Sequence, residues 1–141
     1  MHRMALEVDI NASPEAVFNY FADHEKFAGI FGGSCTRVKD GEDEPNGLGS
    51  TRRIGPGPLS FDETIVVFDR PETIHYAITR GSPLKNHLGR IRFLKTDRGT
   101  RVDYVITFES KVPLLGGLVS RLLKTAFLRG IPKVERALQG Q

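Results

Sequence analysis

The sequence predicts an α+β fold in which a curved antiparallel sheet of seven strands wraps around one long C-terminal helix. Three observations point to it. A cleanly alternating segment opens the chain, short strand-like segments separated by turn residues fill its middle, and a long amphipathic stretch closes it. A sheet with only one long helix available must curl around it to bury its concave face.

In the first segment Met4, Leu6, Val8 and Ile10 share one face, and Ala5, Glu7 and Asp9 share the other. That is the period of a half-buried strand. Ser13-Pro14-Glu15 then starts a helix: Ser13 can cap a free backbone N–H, and Pro14 is preset for the first helical position. Val17, Phe18 and Phe21 fall on one face of it. Asp23 caps a second helix, His24 to Ile30, which Gly32-Gly33 stops.

Strands follow from Cys35 onward. Asp40 to Gly49 is a polar turn, and Gly55-Pro56-Gly57-Pro58 cannot lie inside a sheet. Phe61 to Phe68 is rich in β-branched residues and ends at Arg70-Pro71-Glu72. Ile74, Tyr76 and Ile78 alternate with His75, Ala77 and Thr79, and Gly81-Ser82-Pro83 breaks the chain. A strand from about His87 to Lys95 meets a hairpin turn at Asp97-Arg98-Gly99, which leads into Arg101 to Glu109. Short successive connections imply an antiparallel meander.

Pro113 and Gly116-Gly117 end the sheet, and a helix runs from about Gly117 to Leu138. Its apolar stripe reads Val119, Leu122, Leu123, Ala126, Gly130, Val134 and Ala137, with Arg121, Lys124, Thr125, Arg129, Lys133 and Arg136 opposite. Pro132 should kink it. The small residues Ala126 and Gly130 read in two ways: a void between helix and sheet, or a close approach of backbones.

With 39% hydrophobic and 26% charged residues, this is a globular rather than a disordered composition. A single domain over residues 1–141 can build one core without staples. Cys35 is the only cysteine, which rules out an internal disulfide and a thiolate metal cluster and fits a reducing interior. No signal-like stretch opens the chain, and no apolar run nears the roughly 20 residues of a membrane span, so a cytoplasmic protein is expected.

The chain resembles the START-like (SRPBCC) superfamily with its helix-grip fold, and within it the bacterial polyketide cyclase/dehydrase-type proteins. The resemblance is carried by Ile10-Asn11-Ala12-Ser13-Pro14-Glu15-Ala16-Val17-Phe18 and by Phe61-Asp62-Glu63-Thr64-Ile65. Pro83-Leu84-Lys85-Asn86-His87-Leu88-Gly89, Gly99-Thr100-Arg101-Val102 and Leu114-Leu115-Gly116-Gly117-Leu118 extend it over nearly the whole chain. It implies the helix-grip architecture and a pocket, but the superfamily spans lipid carriers, hormone receptors, cyclases and co-chaperones. A fold does not fix a function.

Chemistry-bearing motifs are sparse. His2, His24, His75 and His87 lack metal-ligand spacing, so neither metal nor cofactor is expected. If Val102, Tyr104, Ile106 and Phe108 face the cavity, so do His87, Gly89, Ile91 and Phe93 on the neighbouring strand. On the strand before, Ile74, Tyr76, Ile78 and Arg80 are the inward candidates. Glu63 alternates with Phe61 and Ile65, and which face they share is left open.

The candidate ligand-binding set is therefore Glu63, Ile65, Tyr76, Ile78, Arg80 and His87, with Ile91, Phe93, Tyr104, Ile106 and Phe108 on the central strands. Ala126 and Gly130 on the helix complete it. A buried Glu63 needs a partner, and Arg80 or Arg53 could supply one. Such a pair reads as a structural ion pair or as a polar handle for a ligand.

The leading function is binding or transport of a small hydrophobic molecule (lipid, polyketide or isoprenoid-like) in an internal cavity. The alternative, from the resemblance, is a polyketide cyclase/dehydrase-type enzyme with His87 or Glu63 in proton transfer. A third reading sets the basic helix face on an anionic membrane. Nucleic acid is not expected as a partner, because the basic residues come without interleaved surface aromatics. Monomer and homodimer stay open.

Overall fold

The computed structural model describes residues 1–55, 57–82, 84–110 and 114–139. In chain order the elements are β1 (His2–Ile10), α1 (Pro14–Ala22), α2 (His24–Ile30), β2 (Cys35–Lys39) and β3 (Thr51–Ile54). After a single 3₁₀ turn at Gly57–Leu59 come β4 (Phe61–Asp69), β5 (Thr73–Arg80), β6 (Leu84–Thr96), β7 (Gly99–Ser110) and α3 (Leu115–Gln139). The seven strands form one sheet in the order β1-β7-β6-β5-β4-β3-β2, antiparallel at every pairing. This is the predicted architecture, with the sheet edges at β1 and β2. The break at Gly81-Ser82-Pro83 holds, although β6 begins earlier than expected, at Leu84; Pro83 lies outside the described residues, as do Pro56 and Pro113.

Local chemistry places the two short helices. Ser13 Oγ accepts from Ala16 N at 3.2 Å, and Asp23 Oδ1 accepts from Lys26 N at 3.0 Å, so each helix begins on a side-chain cap. α1 delivers Phe18 and Phe21 onto Phe93 of β6, with ring centroids 5.2 and 5.4 Å apart. These edge-on aromatic contacts fill one end of the sheet's inner face. α3 covers that face through β1 and β7 and leans on α2.

The buried stripe of α3 corrects the expected one. Phe127, Gly130, Ile131, Val134 and Leu138 are buried, whereas Leu122 and Ala137 are exposed. Both choices keep steps of three and four, so spacing alone cannot separate them. Phe127 decides it: its ring sits 5.1 Å from Tyr104 and 5.6 Å from Phe31.

Gly130 marks contact rather than space. A Cβ there would lie 2.0 Å from the carbonyl oxygen of Ile30, so the absent side chain lets α3 touch α2. Nor does Pro132 interrupt α3, which is continuous from Leu115 to Gln139. The carbonyl that loses its donor belongs to the exposed Leu128, where water can replace it.

Gly130→Ala should therefore destabilise the protein by about 1–3 kcal/mol through overpacking, against a helix-propensity gain of about 1 kcal/mol. Urea unfolding measures the balance. A stabilised variant would mean that α2 yields at no cost.

Candidate functional site

Where α1 does not reach, the inner face of the sheet stays open. The space there is a cavity of about 540 Å³ between β4–β7, α2 and the first turns of α3. Its wall is mostly apolar: Phe27 and Phe31 from α2 and its end, Phe61 and Ile78 from the sheet, and Leu115, Val119 and Leu123 from α3. Glu63, His87 and Tyr76 bring polar groups to it. Leu59 also lines the cavity yet is 81% exposed, which places the opening at the 3₁₀ turn.

Beneath the cavity lies a buried charged pair. Arg52 and Glu63 are direct partners across β3 and β4. Arg52 Nε donates to Glu63 Oε1 at 2.8 Å, with the two residues 2% and 6% exposed. The guanidinium carbon lies 4.3 Å from the Phe27 ring centroid and 5.0 Å from that of Tyr76. Stacking on two rings suits the weakly hydrated, planar guanidinium. Burial pushes the Glu63 carboxyl above the usual range, while the Arg52 charge and hydrogen bond oppose it.

The Tyr76 and Tyr104 hydroxyls hydrogen-bond to each other, and burial holds both phenols well above their ordinary range. Gly89 makes this arrangement fit. It is the cross-strand partner of Tyr76, and a Cβ on it would lie 2.2 Å from the Tyr76 ring.

His87 lies on the inner face by alternation with the buried Gly89, Ile91 and Phe93. Its ring sits 5.7 Å from Tyr76 and 6.4 Å from Phe108. A bulge adjoins it: the register of β6 on β7 shifts between Lys85 and Leu88, and Asn86 takes a positive φ of 51°. The Nδ1 of His87 is buried without a hydrogen-bond partner. Burial lowers its pKa to about 4 against the opposing pull of its own backbone, with the Arg52 charge adding to burial, so the ring is neutral at pH 7. His24 is a second neutral imidazole: Nε2 meets Ser50 Oγ at 3.2 Å, and burial with the Arg52 and Arg37 charges lowers its pKa to about 3.

Of the candidates read from the sequence, Glu63, Tyr76, Ile78, His87 and Ile106 line the cavity. Ile65, Ile91, Phe93, Tyr104 and Phe108 face the same way but belong to the filled core. Phe93 lies under α1, Tyr104 under Phe127, and Phe108 against His2. Ala126 and Gly130 sit beyond the cavity on α3.

Arg80 is on the opposite face from the one expected. The β4–β5 register moves from Asp62↔Arg80 to Glu63↔Ile78, so one extra residue on β5 flips the alternation after Ile78. Arg80 and Arg53 both bind Asp62 there, at 3.0 and 2.9 Å, and lower its pKa to about 2. Neither is the partner of Glu63.

That partner, Arg52, was absent from the candidates. The signal for it is Ile54, the one apolar residue of β3, which marks the inner face two positions away. Phe27 and Phe31 were absent too. Their four-residue spacing is a helical one, and both look into the cavity.

Residues 1–139 match the family described as polyketide cyclase / dehydrase and lipid transport. The chain belongs to this family. Among solved structures it is similar to a START superfamily protein from Mycobacterium smegmatis, at a TM-score of 0.76 and 17% identity over 99% of both chains. It is also similar to Ara h 8.0201, at 0.71 and 14% over 99% of both. The Aha1 dimer protein from Colwellia psychrerythraea matches at 0.73 and 12% over 96% of this chain and 97% of that one. At such identities the likeness is one of fold, and it is the START-like helix-grip fold. No curated protein sequence is significantly similar to this polyketide cyclase/dehydrase-family chain. Among its described residues, no helix is long and apolar enough to cross a membrane.

Proposed function

We propose that this protein binds and carries a small, largely apolar molecule in the cavity beside Glu63 and His87. The observation that carries the reading is the cavity itself: about 540 Å³, aromatic and aliphatic on most sides, with a few convergent polar groups. Small-molecule sites have this size and this mixture. Burial of the apolar body supplies most of the affinity. The unpartnered Nδ1 of His87 and the Glu63 carboxylate read one polar function, such as a hydroxyl or carbonyl.

Native mass spectrometry of the purified protein, followed by solvent extraction, tests the reading through what co-purifies. With a ligand in hand, His87→Ala and Glu63→Gln should each weaken binding by about 0.5–1.5 kcal/mol, the worth of one hydrogen bond. Truncating the wall with Phe31→Ala should cost as much or more. Unchanged affinity in all three variants would remove the cavity as the site.

The same unpartnered His87 Nδ1 favours a second reading, a cyclase or dehydrase. A neutral imidazole with a free ring nitrogen beside a substrate can accept a proton. In that case His87→Ala lowers turnover on the order of 10²–10⁴-fold while affinity for the intact substrate hardly changes. Graded affinity losses with no product from the unmodified protein would exclude it.

A further inference from the structure

The cavity opens beside a row of leucines that are exposed among the described residues. Leu114 is 92% exposed, and Leu118 and Leu122 are 52% and 59% exposed. Leu118 and Leu122 are one helical turn apart on α3, next to Leu115 and Val119, which line the cavity. Leu59, which lines the same cavity as Leu115 and Val119, is exposed as well. Isolated exposed leucines need no explanation, but a row of them around a cavity mouth does.

Cations flank this row. Arg121 and Lys124 of α3 share a groove with Arg3 on β1, the edge strand. Among the described residues, Arg37, Arg53, Arg70, Arg80 and Arg101 each pair with a carboxylate. Arg3, Arg121 and Lys124 have no such partner, and neither do Arg90, Arg92, Arg129 and Lys133 elsewhere; these three differ in lying beside the leucine row. The first turn of α3 carries no acidic residue either, so its positive dipole end adds to the positive charge beside the leucine row.

Aliphatic side chains at the tip with uncompensated cations beside them match the acyl and headgroup layers of one leaflet. We propose that Leu59, Leu114, Leu118 and Leu122, with Arg3, Arg121 and Lys124, form a docking surface for an anionic lipid bilayer. Docked in this way, the cavity mouth faces the hydrocarbon, and an apolar molecule passes between bilayer and cavity without crossing water. The purpose of docking rests on the carrier reading above; the docking itself does not.

Co-sedimentation with extruded vesicles, without added ligand, tests the surface. Vesicles of phosphatidylcholine with about one third phosphatidylglycerol are compared with phosphatidylcholine alone, at low and high salt. The protein should sediment with the anionic vesicles and release at high salt, since surface attraction fades over roughly a Debye length of 10 Å at 0.1 M. Leu118→Gln/Leu122→Gln and Arg121→Glu/Lys124→Glu should each lower vesicle partition by about tenfold or more. Neither pair lines the cavity, so both should keep the thermal midpoint and the uptake of Nile red measured without vesicles.

No sedimentation of the unmodified protein would overturn the proposal. Equal binding to neutral vesicles would overturn it too, as would partition that ignores both variants. A dimer of the unmodified protein that becomes a monomer on leucine substitution would assign the row to a second copy of this chain instead. Loss of Nile red uptake with vesicle binding intact would count against the carrier reading alone.

Discussion

Replacing Arg52 with methionine is expected to remove about 3–5 kcal/mol of stability, because Glu63 is left buried and unpaired. Arg52 is 2% exposed and reaches Glu63 Oε1 at 2.8 Å from between the Phe27 and Tyr76 rings. Methionine keeps part of the volume but none of the charge. Alone in this environment Glu63 takes up a proton on folding, so its folded pKa lies above its unfolded one. Stability of the variant is then retained at low pH and lost as pH rises through the raised value. Urea unfolding across pH measures both effects. The double variant Arg52→Met/Glu63→Leu should recover most of the loss, since a well-packed apolar replacement of a buried ion pair is often neutral. A single variant that loses less than about 1 kcal/mol at pH 7 would show that water reaches Glu63.

Acid should weaken the unmodified protein well before its carboxylates titrate. His24 and His87 have pKa values lowered to about 3 and about 4, both by burial first. The unfolded chain binds protons at about 6.5 and the folded one does not, so stability is complete above 6.5 and falls as pH drops below it. At pH 5 each histidine then costs about 2 kcal/mol, or about 4 kcal/mol together. His75, lowered by burial and by Arg90, adds in the same direction. The raised Glu63 carboxyl acts with the opposite sign, and Asp62, held near 2, contributes only at far lower pH. Thermal unfolding between pH 7.5 and 5 should show this slope. A His24→Gln/His87→Gln variant should flatten it, and an unflattened slope would move the cause elsewhere.

The two cases differ in how far the sequence announces them. Met4 to Ile10 and Val102 to Phe108 alternate without interruption, and their faces are as expected. The caps at Ser13 and Asp23 set the short helices, because a side-chain oxygen beside free N–H groups is a local matter. His87 could be placed by its alternation with Gly89, Ile91 and Phe93, whereas Glu63 was a candidate whose face between Phe61 and Ile65 stayed open.

Arg80 could not be placed, because the extra residue that reverses its face leaves no mark in alternation. Arg52 is hidden for a related reason. Its strand is four residues long, too short for a period to stand out. The helix stripe failed by rotation: Leu122 and Ala137 look like core until Phe127 and Ile131 are seen to outcompete them. Leu122 stays outside together with Leu118, and their exposure carries the bilayer proposal.

The strand order has a kinetic consequence. β1 pairs only with β7, so His2 finds Phe108 across most of the chain's length. During synthesis the first strand therefore emerges with no place to go. Met4, Leu6 and Ile10, buried in the finished sheet, remain unburied until Gly99–Ser110 has been made. Closing so long a loop delays the reward of pairing, and folds dominated by distant contacts are slow and exposed to aggregation for that reason. A nascent chain halted before β7 is the species a holding chaperone would meet, with its N-terminal strand as the handle.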